Sequence, residues 1–448
     1  MTEPIDTLTS ETTELLQALI RNECVNDGTP DSGNETKNAT LLRNELDGIG
    51  LDMEIFEIAE NRGSLIARYE GTDPNAPALC LMAHTDVVPV SPAGWKEDPF
   101  GGELIGNEVW GRGAVDMLNL TSSMAVAFRH IVKSGKRYPG DLVYFAVADE
   151  EAGGVLGASQ LVEQQWDALK CDYVLTEYGG TPVDTREGTA ILVTTTEKGV
   201  GNRRLIIGGE PGHGSMPHGT DNALVKAAEV VRRLAEYQPG TKIDDMFTER
   251  VKALGLGDDL EQRVLDPVRQ AEALDEIEPS MARNLHACSH TSFSPNLLNT
   301  GKKVNIIPDT AVLEVDIRLL PGETLDDVEI HLRAALGSEL MADIEIEEMY
   351  QSTPTQSPVD TPLWHAMADS MRAAYPDAQI VPSMVTGGTD ARFFRQKGIP
   401  AYGAGLLSRS VGFAEFLNRF HGHNERIDIE SLRLTTQLWL DIMDRLWD

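Results

Sequence analysis

The chain has 448 residues, about three times a common single-domain length of roughly 150, so it has room for two or three domains and a large buried core. Hydrophobic residues make up 41% and charged residues 24%, which excludes a disordered, collagen-like or coiled-coil chain. Asp plus Glu number 71 against 38 Lys plus Arg, and the formal charge of -33 argues against nucleic acid and anionic membranes as partners. The same surplus suits either a high-salt protein or an ordinary, very soluble one.

The first predicted element is an acidic amphipathic helix, with Leu15, Leu16, Leu19 and Ile20 at helical spacing, unlike the basic start of a signal peptide. No run approaches the roughly 18 apolar residues of a membrane span. Cys24, Cys80, Cys171 and Cys288 lie far apart with no CxxC pair, so a reduced, cytoplasmic setting is expected.

Next come three short apolar runs, each ending at a side chain able to hold a metal. Residues 78–83 (ALCLMA) lead to His84-Thr85-Asp86, 142–148 (LVYFAVA) to Asp149-Glu150-Glu151, and 173–176 (YVLT) to Glu177. Uniformly apolar runs of this length suit inner strands of a sheet covered by helices on both faces. Ligands of open α/β sheets bind at the carboxyl ends of such strands, so the three endings converge on one crevice.

From about residue 199 the texture changes. Strand-like residues 203–208, a helix capped by Asp221, a strand at 310–320, a helix at 325–336 and a strand at 344–349 predict a small βαββαβ domain inserted into the larger one. A polar, helix-prone excursion fills 238–300. The proline-rich segment 352–362 reads as the return linker, and the last helix carries the stripe Leu434, Leu438, Ile442 and Leu446.

Four features carry chemistry. His84 and Asp86 stand two apart on extended backbone, where the carboxylate can hold the imidazole tautomer. Asp116, after the Gly-rich turn GRGAVD, offers two oxygens able to bridge two metals. Glu150 and Glu151 are adjacent, so their side chains diverge, which suits one as a ligand and the other as a proton acceptor. His421 and His423 offer a late imidazole. Alone, each of these is an ordinary turn; together they are hard to read that way.

HTDVVP (84–89), GRGAVDM (111–117), ADEE (148–151), Glu177 before Gly179-Gly180, GHGSMPH (212–218), VNIIPD (304–309), DIRLLPG (316–322), TGGTDARFF (386–394) and HGHNERI (421–427) together resemble the ordered motifs of the dinuclear zinc metallopeptidase family. That family includes aminoacylase, succinyl-diaminopimelate desuccinylase, glutamate carboxypeptidase and carnosine-type dipeptidases. The resemblance implies an α/β fold, a mostly parallel sheet flanked by helices, with an inserted ferredoxin-like lid. The domains expected are a catalytic domain in two segments, 1–198 and 352–448, and a lid and dimerisation domain, 199–351.

The resemblance further implies two Zn2+ per chain, with Co2+ or Mn2+ as substitutes. His84 and Glu177 would hold one, Glu151 and His421 the other, with Asp116 between them. Glu150 becomes the general base, with Asp86 beside it, and His213 steadies the oxyanion from a second subunit of a homodimer. Asn305, Arg318, Gly388 and Thr389 would grip the substrate carboxylate. Two departures stand out: Leu118-Asn119 where the family often has Lys, and Tyr178 between Glu177 and its glycines.

The activity this implies is cleavage of an amide beside a free carboxylate in a small peptide or N-acyl amino acid. A dipeptidase or carboxypeptidase is expected first and an N-acyl-amino-acid deacylase second, because the long excursion is similar to that of larger peptidase members. A non-catalytic metal-binding relative would have no chemical use for Glu150. A nicotinamide enzyme would need a Gly-rich fingerprint after its first strand, which is absent.

Overall fold

The computed structural model describes residues 4–185 and 188–448. Among these residues the larger sheet has ten strands, one of them the two-residue Thr355–Gln356. β1 (Met53–Glu57), β2 (Gly63–Tyr69), β3 (Leu79–His84), β4 (Leu142–Val147), β5 (Tyr173–Thr176), β6 (Gly179–Thr185) and β7 (Gly188–Glu197) come from the first segment of the chain. The inserted sheet follows, with β8 (Gly199–Gly208), β9 (Ser292–Thr300), β10 (Thr310–Leu319) and β11 (Ile344–Ser352). Then β12 (Ala378–Val385) and β13 (Ala401–Gly403) return to the larger sheet.

At the centre of the larger sheet β4, β3, β5 and β13 run parallel in that order, while β1, β2 and β6 join it through antiparallel pairs. Every residue of β3 and β4 is buried, which is why both runs lack polar alternation. On one face lie α1 (Ile5–Arg21), α2 (Leu118–Ser134), the later helix Pro362–Ala374 and the last helix Ile429–Leu446, around Leu16, Phe128, Trp439 and Ile442. Of the predicted stripe on that last helix, Leu438 and Ile442 are buried, while Leu434 and Leu446 are partly covered.

The second sheet is antiparallel throughout, in the order β9-β10-β8-β11. Helix α3 (Ala223–Glu236) and the helix Leu325–Met341 cover one face, burying Leu205, Leu313, Val315, Val230 and Leu332. The cap of α3 is Asn222, whose side chain accepts from Leu224 N; Asp221 pairs with Lys226 at 2.8 Å instead.

Two observations revise the reading of the excursion. It ends near residue 290, because 292–300 is the edge strand β9; Pro295, at a register break, is tolerated at an edge and hid the strand in the sequence. Its helices, including α4 (Asp245–Ala253) and α5 (Pro279–Ser289), share a core with Val183, Leu192, Val381 and Met384 of the larger sheet and with Leu320 just past β10. Among the described residues no helix is long and apolar enough to cross a membrane.

Candidate functional site

A cavity of about 420 Å3 lies where the carboxyl ends of the parallel strands face the inserted sheet. Its walls include Asp116, Glu150, Glu151, Glu177 and His421 on one side, and Arg318, Tyr350 and the 386–389 loop on the other.

His84 closes β3, and its Nδ1 lies 2.9 Å from the main-chain oxygen of Asp86. A carbonyl only accepts, so Nδ1 carries a proton, and Nε2 is the ring nitrogen turned to the acids and free for a metal to take. That Nε2 is 3.1 Å from Asp116 Oδ1 and 3.5 Å from Glu177 Oε2. His421 Nε2 is 3.2 Å from Asp116 Oδ2 and 3.2 Å from Glu151 Oε2. The two oxygens of Asp116 therefore face two different imidazoles, at the junction of two groups of three metal-capable side chains. His423 packs against Gly94, outside both groups.

The electrostatics of this cluster call for added positive charge. Burial, reinforced by Glu177, pushes Glu150 well above the usual carboxylate range. Burial also raises Glu151 and Glu177 to about 7. Burial alone would raise Asp116 too, but hydrogen bonds from His421 and His84 hold it low. Contacts with Asp116 and Glu151 lift His421 to about 10. Glu151 Oε1 is buried without a partner. Carboxylates and imidazole lone pairs converging in this way are a donor set suited to divalent metals such as zinc.

The surrounding groups fix this geometry. The carboxylate of Asp86, expected to orient His84, is 3.6 Å from Nδ1; it instead accepts from the N–H groups of Glu150 and Glu151 at 3.2 and 3.1 Å, and from Asn26 at 2.8 Å. It therefore holds the Glu150-Glu151 turn, while its own main-chain oxygen sets the tautomer. Glu425, which the sequence reading passed over, accepts from the N–H groups of Val115 and Asp116 at 2.7 and 3.0 Å and pairs with Arg112 at 2.6 Å. At Gly403 a side chain would meet the main-chain oxygen of Glu177 at 2.0 Å, so only glycine lets β13 approach β5 here.

Arg318 reaches the cavity with Nε and Nη2 engaged by Asp316 at 2.8 and 3.0 Å. Gly388 and Thr389 line it as well, although the Thr389 N–H is spent on Glu197 at 2.5 Å. His213 and Asn305 do not line it; both are exposed on the small bridge formed by Gly212–His213 and Ile306–Ile307. Lys198, Asn202 and Tyr350 are cavity residues outside every motif, and Arg392 lies in TGGTDARFF with no role assigned to it from the sequence. Lys198 is buried, which pulls it down to about 8, and it donates to Ala287 O at 2.9 Å and His290 O at 2.7 Å.

Parallel strands ending on an acid-rich crevice, faced by an inserted antiparallel sheet, define a mixed α/β protein with a candidate metal centre at the strand ends. The model for "Peptidase family M20/M25/M40" matches residues 80–445, and the chain belongs to that family. Among curated relatives, the chain is 28% identical over 401 residues to the N-fatty-acyl-amino acid synthase/hydrolase PM20D1 of Xenopus tropicalis, covering 85% of this chain and 74% of that one. It is 25% identical over 411 residues to aminoacylase-1 of Mus musculus, covering 90% and 88%. Among solved structures, the M20 family metallo-carboxypeptidase Sso-CP2 of Sulfolobus solfataricus shares the fold with a TM-score of 0.75 at 19% identity, covering 97% and 99%. The chain is accordingly a hydrolytic enzyme acting on peptide or N-acyl amide bonds.

Proposed function

We propose that the chain cleaves the amide beside the free carboxylate of a small peptide or N-acyl amino acid, using two zinc ions. The observation that carries this reading is the division of Asp116, with one oxygen toward His84 and Glu177 and the other toward Glu151 and His421. His84, Glu177 and Asp116 hold one ion; Asp116, Glu151 and His421 hold the other. When bound, the metals polarise the scissile carbonyl and lower the pKa of the attacking water.

Glu150, in the cavity wall beside the metal-ligand cluster, accepts the proton of that water and delivers it to the departing amine. Asp86 keeps Glu150 and Glu151 on opposite tasks by pinning their backbone. Arg318, with Nη1 left without a protein partner among the described residues, receives the substrate carboxylate beside Gly388 and Thr389. In domain terms, 1–198 and 352–448 carry the catalytic groups and 199–351 forms the lid.

His213 and Asn305 reach the site from the lid of a second copy. Around them the lid exposes Leu297 (56%), Ile306 (49%) and Met216 (68%), beside the unpaired edge of β9. An apolar, open strand edge of this kind favours pairing between copies. Four buried, free cysteines fit a cytoplasmic setting.

The deacylase reading has aminoacylase-1 and PM20D1 behind it, whereas the carboxypeptidase among the solved structures shares the fold alone. An activity screen of the zinc-loaded protein against dipeptides and N-acyl amino acids decides between them. Turnover confined to one class assigns the enzyme to it. Absence of turnover on both would overturn the proposal.

A further inference from the structure

Tyr178, the residue that interrupts the expected Glu-Gly-Gly run, walls two spaces at once. Its ring packs 5.0 Å from that of Phe420 beside the catalytic cavity and also borders a second pocket of about 30 Å3. The far wall of this pocket is built by the excursion, through Arg250 of α4 and Asn284 of α5. Thr181, Thr194 and Ser383 of the larger sheet line it beside Leu192 and Met384, the Thr194 hydroxyl donating to Tyr178 O.

Arg250 is only 4% exposed, yet among the described residues no carboxylate lies within ion-pairing distance of it. Its Nη1 rests 2.8 Å from Cys288 Sγ, its Nη2 donates to Asn284 Oδ1, and its Nε is buried without a partner. Arg62, Arg112 and Arg395, also buried, pair with Glu35, Glu425 and Glu197 at 2.7, 2.6 and 2.8 Å, while Arg203 and Arg392 donate to main-chain oxygens; Arg250 rests on a thiol and one amide oxygen instead. A thiol and an amide oxygen offset the desolvation of a guanidinium only partly, so a negative charge is the missing complement. The pocket has room for about one small group.

We propose that Arg250, with Asn284, Thr181 and Tyr178, forms an anion subsite beside the catalytic cavity that takes one carboxylate-sized, singly charged group. Two sources share this chemistry: an acidic side chain on the amino acid whose amide is cleaved, or a free anion such as chloride. Tyr178 adjoins Glu177 in the chain and touches both spaces, which puts the subsite beside the scissile amide. The side-chain source rests on the amide-hydrolase reading above; the free-anion source does not.

The test is made on zinc-loaded protein with and without Arg250→Met, using binding so that turnover is not required. In a chloride-free gluconate buffer, calorimetry on the Glu150→Gln protein should give N-acetyl-L-glutamate an affinity at least about tenfold above N-acetyl-L-glutamine, with the difference lost in the Glu150→Gln/Arg250→Met protein. Alternatively, replacing gluconate by chloride at constant ionic strength should raise the unfolding temperature of the wild type and not of Arg250→Met. The first result identifies the side-chain source and the second the free anion.

If the proteins with and without Arg250→Met respond identically to both probes, the subsite does not exist. If neither N-acyl ligand binds but the chloride response is specific to Arg250, the subsite stands as a free-anion site and the side-chain source is excluded. Should Arg250→Met not fold, Arg250→Lys is read the same way, with either response reduced but present; an unchanged response would overturn the proposal. A purely structural arginine would leave both responses unmoved.

Discussion

Glu150 and Glu151 are neighbours in the chain with different surroundings. Both line the cavity and both are raised by burial, but Glu151 Oε2 lies 3.2 Å from His421, whereas among the described residues Glu150 has no imidazole within ion-pairing distance. Glu150→Gln keeps the size of the side chain but cannot take a proton, so kcat should fall by about 10²–10⁴-fold with folding and metal content unchanged. Steady-state kinetics with metal analysis checks this; near wild-type turnover would remove Glu150 from the reaction. At this scale much was legible: His84, Asp116, Glu151, Glu177 and His421, named from motifs across more than 300 positions, come together in one cluster. Glu425 was not, since an acid in HGHNER carries no sign that it caps the N–H groups of residues 115 and 116, far away in sequence. Lys198 was hidden for a similar reason, as its carbonyl partners come from the excursion.

At the scale of elements, apolar runs as uniform as β3 and β4 announce themselves, whereas β9 does not. Its Pro295, Asn296 and exposed Leu297 read as loop because an edge strand buries too little to impose a pattern. The excursion could be read as helical, but its docking on the larger sheet depends on contacts such as Phe247 and Leu285 with Leu192 and Met384, which no local pattern encodes. On α5, His286 stacks on His290 with ring centroids 4.1 Å apart. Burial, with His290 and Lys198 nearby, lowers His286 to about 4. Between its ordinary value near 6.5 and about 4, the unfolded chain binds a proton that the folded chain refuses, so this group's contribution to stability is lost as pH falls across that window. His286→Phe keeps a stacking ring without the proton. Chemical denaturation at pH 7 and pH 5 should show wild type losing more stability than the variant, and equal losses would contradict the assignment.

At the scale of the whole molecule, the inserted sheet gives the cavity its second wall through Arg318 and Tyr350 but keeps His213 on an exposed bridge. A dimer formed along the β9 edge resolves this if each lid serves the neighbouring site. Mixing inactive Glu150→Gln with inactive His213→Ala should then restore about a quarter of wild-type activity, because half of the subunit pairs are mixed and each has one intact site of two. No recovery after verified subunit exchange would assign His213 to its own chain. The cation pair would itself tie the molecule together, since its five ligands span residues 84 to 421 on separate strand ends and turns. The central claim is that Asp116 joins two metal positions, and counting bound metal tests it most directly. Elemental analysis of zinc-loaded protein freed of excess metal should give two equivalents per chain, falling to one in Glu151→Ala; one equivalent in the wild type, unchanged by Glu151→Ala, would contradict the account.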